Sequence, residues 1–97
     1  MYNVLNRLKL DSIIILNPNH YKGYLDRANF YFDIGEFQNA IDDYTKVIKL
    51  SEYPLAYYNR GLSYFNLGMK KKGCIDINES ARLGYPVKKE LADFCNN

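Results

Sequence analysis

Two stretches of this chain, residues 24–35 and 57–68, carry nearly the same pattern at an offset of 33 positions, without a gap. Tyr24 pairs with Tyr57, Arg27 with Arg60, Tyr31 with Tyr64, Phe32 with Phe65 and Gly35 with Gly68. A unit of this length cannot bury its apolar face alone, so its repetition requires neighbouring copies to stack. With 97 residues, the chain forms one small domain with a limited core. The repeat therefore constrains the fold to a stacked array. Such arrays usually present surfaces to other proteins rather than enclose chemistry.

The punctuation predicts that the units are helical hairpins. Between Tyr21 and Ile34 the residues Tyr24, Ala28, Tyr31 and Phe32 recur at helical spacing, and Gly35 supplies a left-handed end. A second helix over about 37–50 carries Phe37, Ala40, Ile41, Tyr44, Val47 and Ile48 on one stripe. Pro54 suits the first turn of a third, which runs to Leu67 and stops at Gly68. A fourth spans about 70–83 before Gly84, and a short last helix starts at Pro86 and ends near Phe94 or Cys95. Upstream, Asn17-Pro18-Asn19 closes a helix that begins near Tyr2. Ala28 and Ala40 in one hairpin correspond to Gly61 and Gly73 in the other, small residues that permit close helix approach. The expected fold is all-α.

Composition narrows the function class. A formal net charge of +2 is too small to argue for nucleic acid or a membrane surface. No run approaches the roughly 20 apolar residues of a membrane span, and Met1 to Arg7 lacks the order of a signal peptide. A cytoplasmic setting is the expectation. Cys74 and Cys95 lack metal-ligand spacing. Cys74 is expected to face the helix bundle and Cys95 to lie on the helix that packs back onto it, and an intracellular setting favours two buried thiols over a disulfide. No nucleophile–base pair, metal set or phosphate loop is visible, so neither enzyme activity nor a cofactor is expected.

The residues resemble the tetratricopeptide (TPR) repeat, whose signature is an aromatic, a Leu-Gly-like pair, a tyrosine, an alanine, an aromatic and a proline. In one copy these fall on Tyr24, Arg27-Ala28, Tyr31, Ala40, Tyr44 and Pro54; in the next on Tyr57, Arg60-Gly61, Tyr64, Gly73, Ile77 and Pro86. The resemblance divides the chain into the second helix of a partial repeat (2–17), two repeats (21–53 and 54–86) and a capping helix (87–95). It implies a right-handed α-solenoid whose concave groove is lined by the first helix of each repeat.

Carried over position by position, that groove presents Lys22, Leu25, Asp26, Asn29, Phe32 and Asp33 from one repeat. Leu55, Tyr58, Asn59, Leu62, Phe65 and Asn66 come from the next, with Lys88 or Lys89 from the capping helix. The implied function is a non-catalytic adaptor that holds an extended peptide or a short amphipathic helix. A sharper version is the carboxylate clamp with which co-chaperones grip acidic C-terminal tails. Asn29 and Asn59 occupy its asparagine positions, and Lys88 or Lys89 lies near a lysine position. Leu25 stands in place of the first clamp lysine and Ala92 or Asp93 in place of the arginine, so only part of the donor set is present.

Other prominent residues have plainer readings. Tyr24, Tyr31, Tyr44, Tyr57 and Tyr64 sit at core spacing, whereas Tyr58 and Phe65 lie off that stripe and suit the groove. Lys70-Lys71-Lys72 reads as a solvated face, Asp26 and Asp42-Asp43 as solubility charges, and His20 as part of a polar turn. Leu5, Leu8, Leu10, Ile13, Ile14 and Leu16 make an apolar helix with no hairpin partner. Either they pack on the first full repeat, or they support self-association, including a homodimer through this half repeat. That second option makes a structural module the alternative to an adaptor.

Overall fold

Schellman-type turns set where three of the helices stop. In the computed structural model, which describes residues 4–96, the elements are α1 (Val4–Leu16), α2 (Tyr21–Asp33), α3 (Phe37–Leu50), α4 (Pro54–Asn66), α5 (Lys70–Arg82) and α6 (Lys89–Asn96). Tyr2, where the first helix was expected to begin, lies outside the described residues. Gly35, Gly68 and Gly84 follow α2, α4 and α5 with φ of 80°, 75° and 98°. Each allows the next amide to reach back to the last turn: Glu36 N to Tyr31 O at 2.8 Å, Met69 N to Tyr64 O at 2.9 Å, and Tyr85 N to Ser80 O at 2.9 Å. A β-carbon would strain the backbone at all three. At the other end of α2, His20 caps the helix by accepting from the Lys22 amide through Nδ1 at 3.2 Å. Pro54 occupies the first turn of α4, as expected.

Helices α2 and α3 form one hairpin, α4 and α5 a second, and α3 packs on α4 to join them. Among the described residues every regular element is a helix, and none is long and apolar enough to cross a membrane. Ala28, Ala40, Tyr44, Val47 and Ala56 are fully buried at the centre. Leu25 joins this cluster with only 8% of its surface exposed, which removes it from the groove. The residue sits on the flank of α2 that meets the core. In the second hairpin the helices touch through glycine. A β-carbon on Gly61 would lie 2.9 Å from the Gly73 carbonyl oxygen, and one on Gly73 would fall on the Phe65 ring. Of the five tyrosines at core spacing, only Tyr44 is fully enclosed; Tyr24, Tyr31, Tyr57 and Tyr64 are half-buried. Their rings cover the core while the hydroxyl ends stay near water, as at Tyr24, which donates to Pro18 O at 2.8 Å.

Two arginines tie the array together. Arg27 on α2 donates twice to Asp43 on α3, at 2.7 and 2.9 Å, and once to Asp11 on α1, at 2.8 Å. Arg60, one repeat on, donates twice to Asp76 on α5, both at 2.7 Å, and once to the Thr45 hydroxyl on α3, at 3.0 Å. Each guanidinium thus spans the helix before it and the helix after it. Asp43, expected as a solubility charge, is 6% exposed and fully engaged. These forked, charge-assisted bonds hold both guanidinium groups protonated more firmly than usual, desolvation working in the opposite direction.

Helix α6 is attached rather than buried: none of its residues is enclosed. It begins three residues after Pro86, later than the sequence suggests, because Tyr85 stacks flat on Tyr58 at 4.5 Å and the chain stays extended past it. Cys95 is joined to Cys74 of α5 by a disulfide, with Cα atoms 5.2 Å apart, so the expectation of two free thiols is overturned. Phe94 meets Phe65 edge-on at 5.7 Å, and Lys70 Nζ lies 4.3 Å above the Phe94 ring. An eight-residue helix has little stability of its own, so these tethers supply its order. The expected packing of Leu5 and Leu8 on the first full repeat does not occur either; both are exposed, and Ile14 is the buried residue of α1.

Two substitutions test this packing. Gly73→Ala should lower stability by about 1–3 kcal/mol in thermal melts, although alanine is the better helix former, because the methyl displaces the Phe65 ring. Asp76→Ala leaves Arg60 with its charge unmatched and should lower stability by about 3 kcal/mol. A loss below ~1 kcal/mol in urea denaturation would show that the pair does not organise the hairpin.

Candidate functional site

The residues expected to line a groove sit on the first helix of each hairpin, and α2 and α4 meet directly through Asn29 and Asn59. From α2, Lys22, Asp26 and Asp33 are exposed and Asn29 and Phe32 half-buried. From α4, Asn66 is exposed, while Leu55, Tyr58, Asn59, Leu62 and Phe65 are half-buried. Lys88 and Lys89 stand exposed by the capping helix, where Lys89 pairs with Asp93 at 2.7 Å.

At the centre is a polar knot. The Tyr44 hydroxyl rises from the core and donates to Asn29 Oδ1 at 2.5 Å, and Asn59 Nδ2 reaches the same oxygen at 3.4 Å. One carbonyl thus accepts from two donors, which its two lone pairs permit. The bond fixes the Asn29 amide plane, so that side chain is oriented before any partner arrives. The sequence predicts both asparagines at the surface but not the tyrosine beneath them. A tyrosine at core spacing needs a partner for its hydroxyl, and that requirement is the available signal. One repeat later the positions of Asn29 and Tyr44 hold Leu62 and Ile77, both apolar, so the knot occurs once.

Three aromatic groove candidates are engaged within the fold. Phe32 packs edge-on against Phe37 at 5.5 Å. Phe65 lies over Gly73 and under Phe94, and Tyr58 lies under Tyr85. At Phe65 the reason is the small residue beneath it, since the ring fills the space that Gly73 leaves on α5. Phe94 occupies over Phe65 the role that Phe37 has over Phe32, since Lys70 stands where Phe37 would recur. The structure therefore brings together Asn29 and Asn59, leaves Lys22, Asp26, Asp33 and Asn66 open around them, and withdraws Leu25. No group of three or more His, Cys, Asp or Glu side chains among the described residues is placed to hold a metal ion.

Stacked hairpins with a short inner face define a helical-repeat scaffold. The family comparisons give the class its name: a model described as TPR repeat matches residues 28–68, and one described as tetratricopeptide repeat matches residues 55–83. Together they span more than half of the chain, which belongs to the tetratricopeptide repeat family. No curated protein matches the chain.

The knot makes a pH prediction. Burial is the largest influence on Tyr44 and pushes its pKa well above that of a free phenol; Tyr31 moves the same way for the same reason. The native state therefore favours the neutral hydroxyl. That contribution is fully present below the unfolded value near 10 and is lost as pH rises through the folded value. Urea midpoints should fall above about pH 10. Tyr44→Phe should flatten that fall while lowering stability at neutral pH by about 1 kcal/mol.

Proposed function

We propose that this protein is a non-catalytic adaptor that holds an extended peptide along the face shared by α2 and α4. The observation that carries this reading is the preset amide pair, Asn29 and Asn59, beside the half-buried Leu62. Side-chain amides match the donors and acceptors of a peptide backbone, and an apolar neighbour takes up a side chain. Because Tyr44 fixes one amide in advance, less ordering remains for the scaffold when it binds.

Charge selects the peptide class. Asp26 and Asp33 are exposed on α2, opposed there by Lys22, so the face favours a neutral or basic segment. A carboxylate clamp fits poorly: Leu25, at its first lysine position, is in the core, where no lysine could present a charge to a ligand. The adaptor reading follows the habit of tetratricopeptide repeats, which generally mediate protein–protein interaction.

Selection from a random dodecapeptide display library tests the proposal. Enriched peptides should carry Lys or Arg near an apolar residue. The double variant Asp26→Ala/Asn59→Ala should weaken them roughly tenfold or more, about 1.4 kcal/mol, at unchanged helicity. Peptides that bind the double variant as tightly as the parent would place recognition elsewhere on the molecule.

A further inference from the structure

The disulfide ties down the least enclosed element of the fold. Helix α6 is held at its two ends and rests lightly between them. Before it, Tyr85 stacks on Tyr58 at 4.5 Å and fixes the chain where it leaves α5. Residues 85–88 then run without helical structure, and α6 starts at Lys89. At its far end Cys95, the second-to-last residue of the helix, is bonded to Cys74. Between these points Leu91 and Ala92 are half-buried, and Phe94 stays 49% exposed although it meets the Phe65 ring.

Without the bond, what remains is too little to keep α6 ordered. A helix of eight residues does not persist in water by itself. Its internal ion pair, Lys89 with Asp93, is exposed and contributes little. One edge-on ring pair and one cation–π contact, Phe94 with Phe65 and with Lys70, do not offset the entropy of ordering the whole helix. The rest of the array has its own anchors. On α5, Ile77 and Ser80 are enclosed and Asp76 is bonded twice to Arg60. Loss of the bond therefore opens α6 locally and leaves the hairpins closed.

The bond is also within reach of a reductant. Cys74 and Cys95 line a surface concavity together with Lys70, Lys71, Ile75 and Asn78. Cys95 is the more exposed of the two, with Cys74 at 8%. Attack on the Cys95 sulfur makes Cys74 the leaving group, and the two lysines on the same concavity favour the thiolate that forms there. Exposed disulfides are the labile ones, in contrast to those sealed in a core.

We infer that the Cys74–Cys95 bond is a reducible latch: reduction frees α6 to swing about residues 85–88 and uncover the Phe65 ring, and reoxidation closes it again. The reductant is a small thiol of the glutathione class. Its thiolate attacks Cys95 Sγ, the S–S bond breaks, and the electron pair leaves on Cys74 Sγ, which takes up a proton. A second thiolate attacks the small-molecule sulfur of the mixed disulfide and releases Cys95, which is protonated in turn. Two small thiols become one disulfide, and the protein gains two electrons and two protons. Because Tyr85 still holds the start of the released segment, Cys95 stays near Cys74 and the bond can re-form. The latch is independent of the peptide-binding proposal, which stands or falls on Asp26 and Asn59.

Amide hydrogen exchange of the full chain, read by NMR with and without millimolar reduced glutathione, tests it. On reduction the amides of α6 should exchange roughly tenfold or more faster while those of α2 to α5 keep their rates, and oxidised glutathione should restore the slow rates. A bond that survives glutathione, or an α6 that stays protected once thiol titration shows the bond reduced, would overturn the inference. Acceleration throughout α5 would overturn it too, since the bond would then support the hairpin. Two variants fix the cause. Cys74→Ser/Cys95→Ser should show the fast α6 rates without any thiol and no response to glutathione; a remaining response would place the redox sensitivity elsewhere. Phe94→Ala in the oxidised chain should leave α6 protected, and loss of protection there would make the ring contact, not the disulfide, the latch.

Discussion

The array depends on a charge it places inside itself. Arg27 and Arg60 each hold three helices in register, and neither could be replaced by a residue that merely fills space. Hydrophobic burial here is non-directional and spread over small side chains, Ala28, Ala40 and Ala56 among them. Such a core sets how closely helices approach but leaves them free to slide. A planar guanidinium with two bonds to one carboxylate fixes both the axial position and the rotation of the opposing helix. The third bond, to Asp11 or Thr45, passes that register to the preceding unit. A buried ion pair adds little net stability against a well-packed apolar substitute; what it contributes to this molecule is a unique alignment. The amide pair on the proposed binding face inherits that alignment, since Asn29 and Asn59 sit two and one positions from the two arginines on their helices.

How far the fold could be read from sequence follows from which forces act locally. Helix ends were legible because a left-handed residue is needed there and Gly35, Gly68 and Gly84 provide it. Close packing at Gly61 and Gly73 was legible because mid-helix glycine is unfavourable without such a reason. The arginine–aspartate pairs were present in the same repeat, Arg27 and Asp43 recurring as Arg60 and Asp76. Sequence alone does not single them out, because charged residues on an amphipathic helix default to the solvated face. What distinguishes them is that both partners recur together, while surface neighbours such as Asp42 and Ile75 do not.

The proposed binding face was less legible, for a physical reason. A position lines a groove only if the flank beside it is already closed, and closure here depends on long-range contacts. Leu25 is drawn inward by the core it shares with Val47 and Ala56. Phe65 and Tyr58 are covered by Phe94 and Tyr85, residues whose placement is set by a disulfide and a loop rather than by helical periodicity. The exposed aspartates stay where the repeat puts them because nothing in the core competes for them, whereas Asn29 is held from beneath by the Tyr44 hydroxyl. Side chains with no packing role are the ones whose sequence position translates directly into surface.

The two flanking helices show opposite solutions to one problem. Among the described residues, α1 packs mainly on α2 and α6 mainly on α5. Helix α6 answers with covalent and aromatic tethers: it has no enclosed residue, yet Cys95, Phe94 and the preceding Tyr85 each hold a specific point on α4 or α5. Helix α1 is held on its inner side by Ile14 beside Gly23 and by Asp11 on Arg27, which is sufficient for attachment. Ile13 adds to that attachment beside Gly23, while Leu5 and Leu16 are exposed at positions where α3 and α5 are both polar.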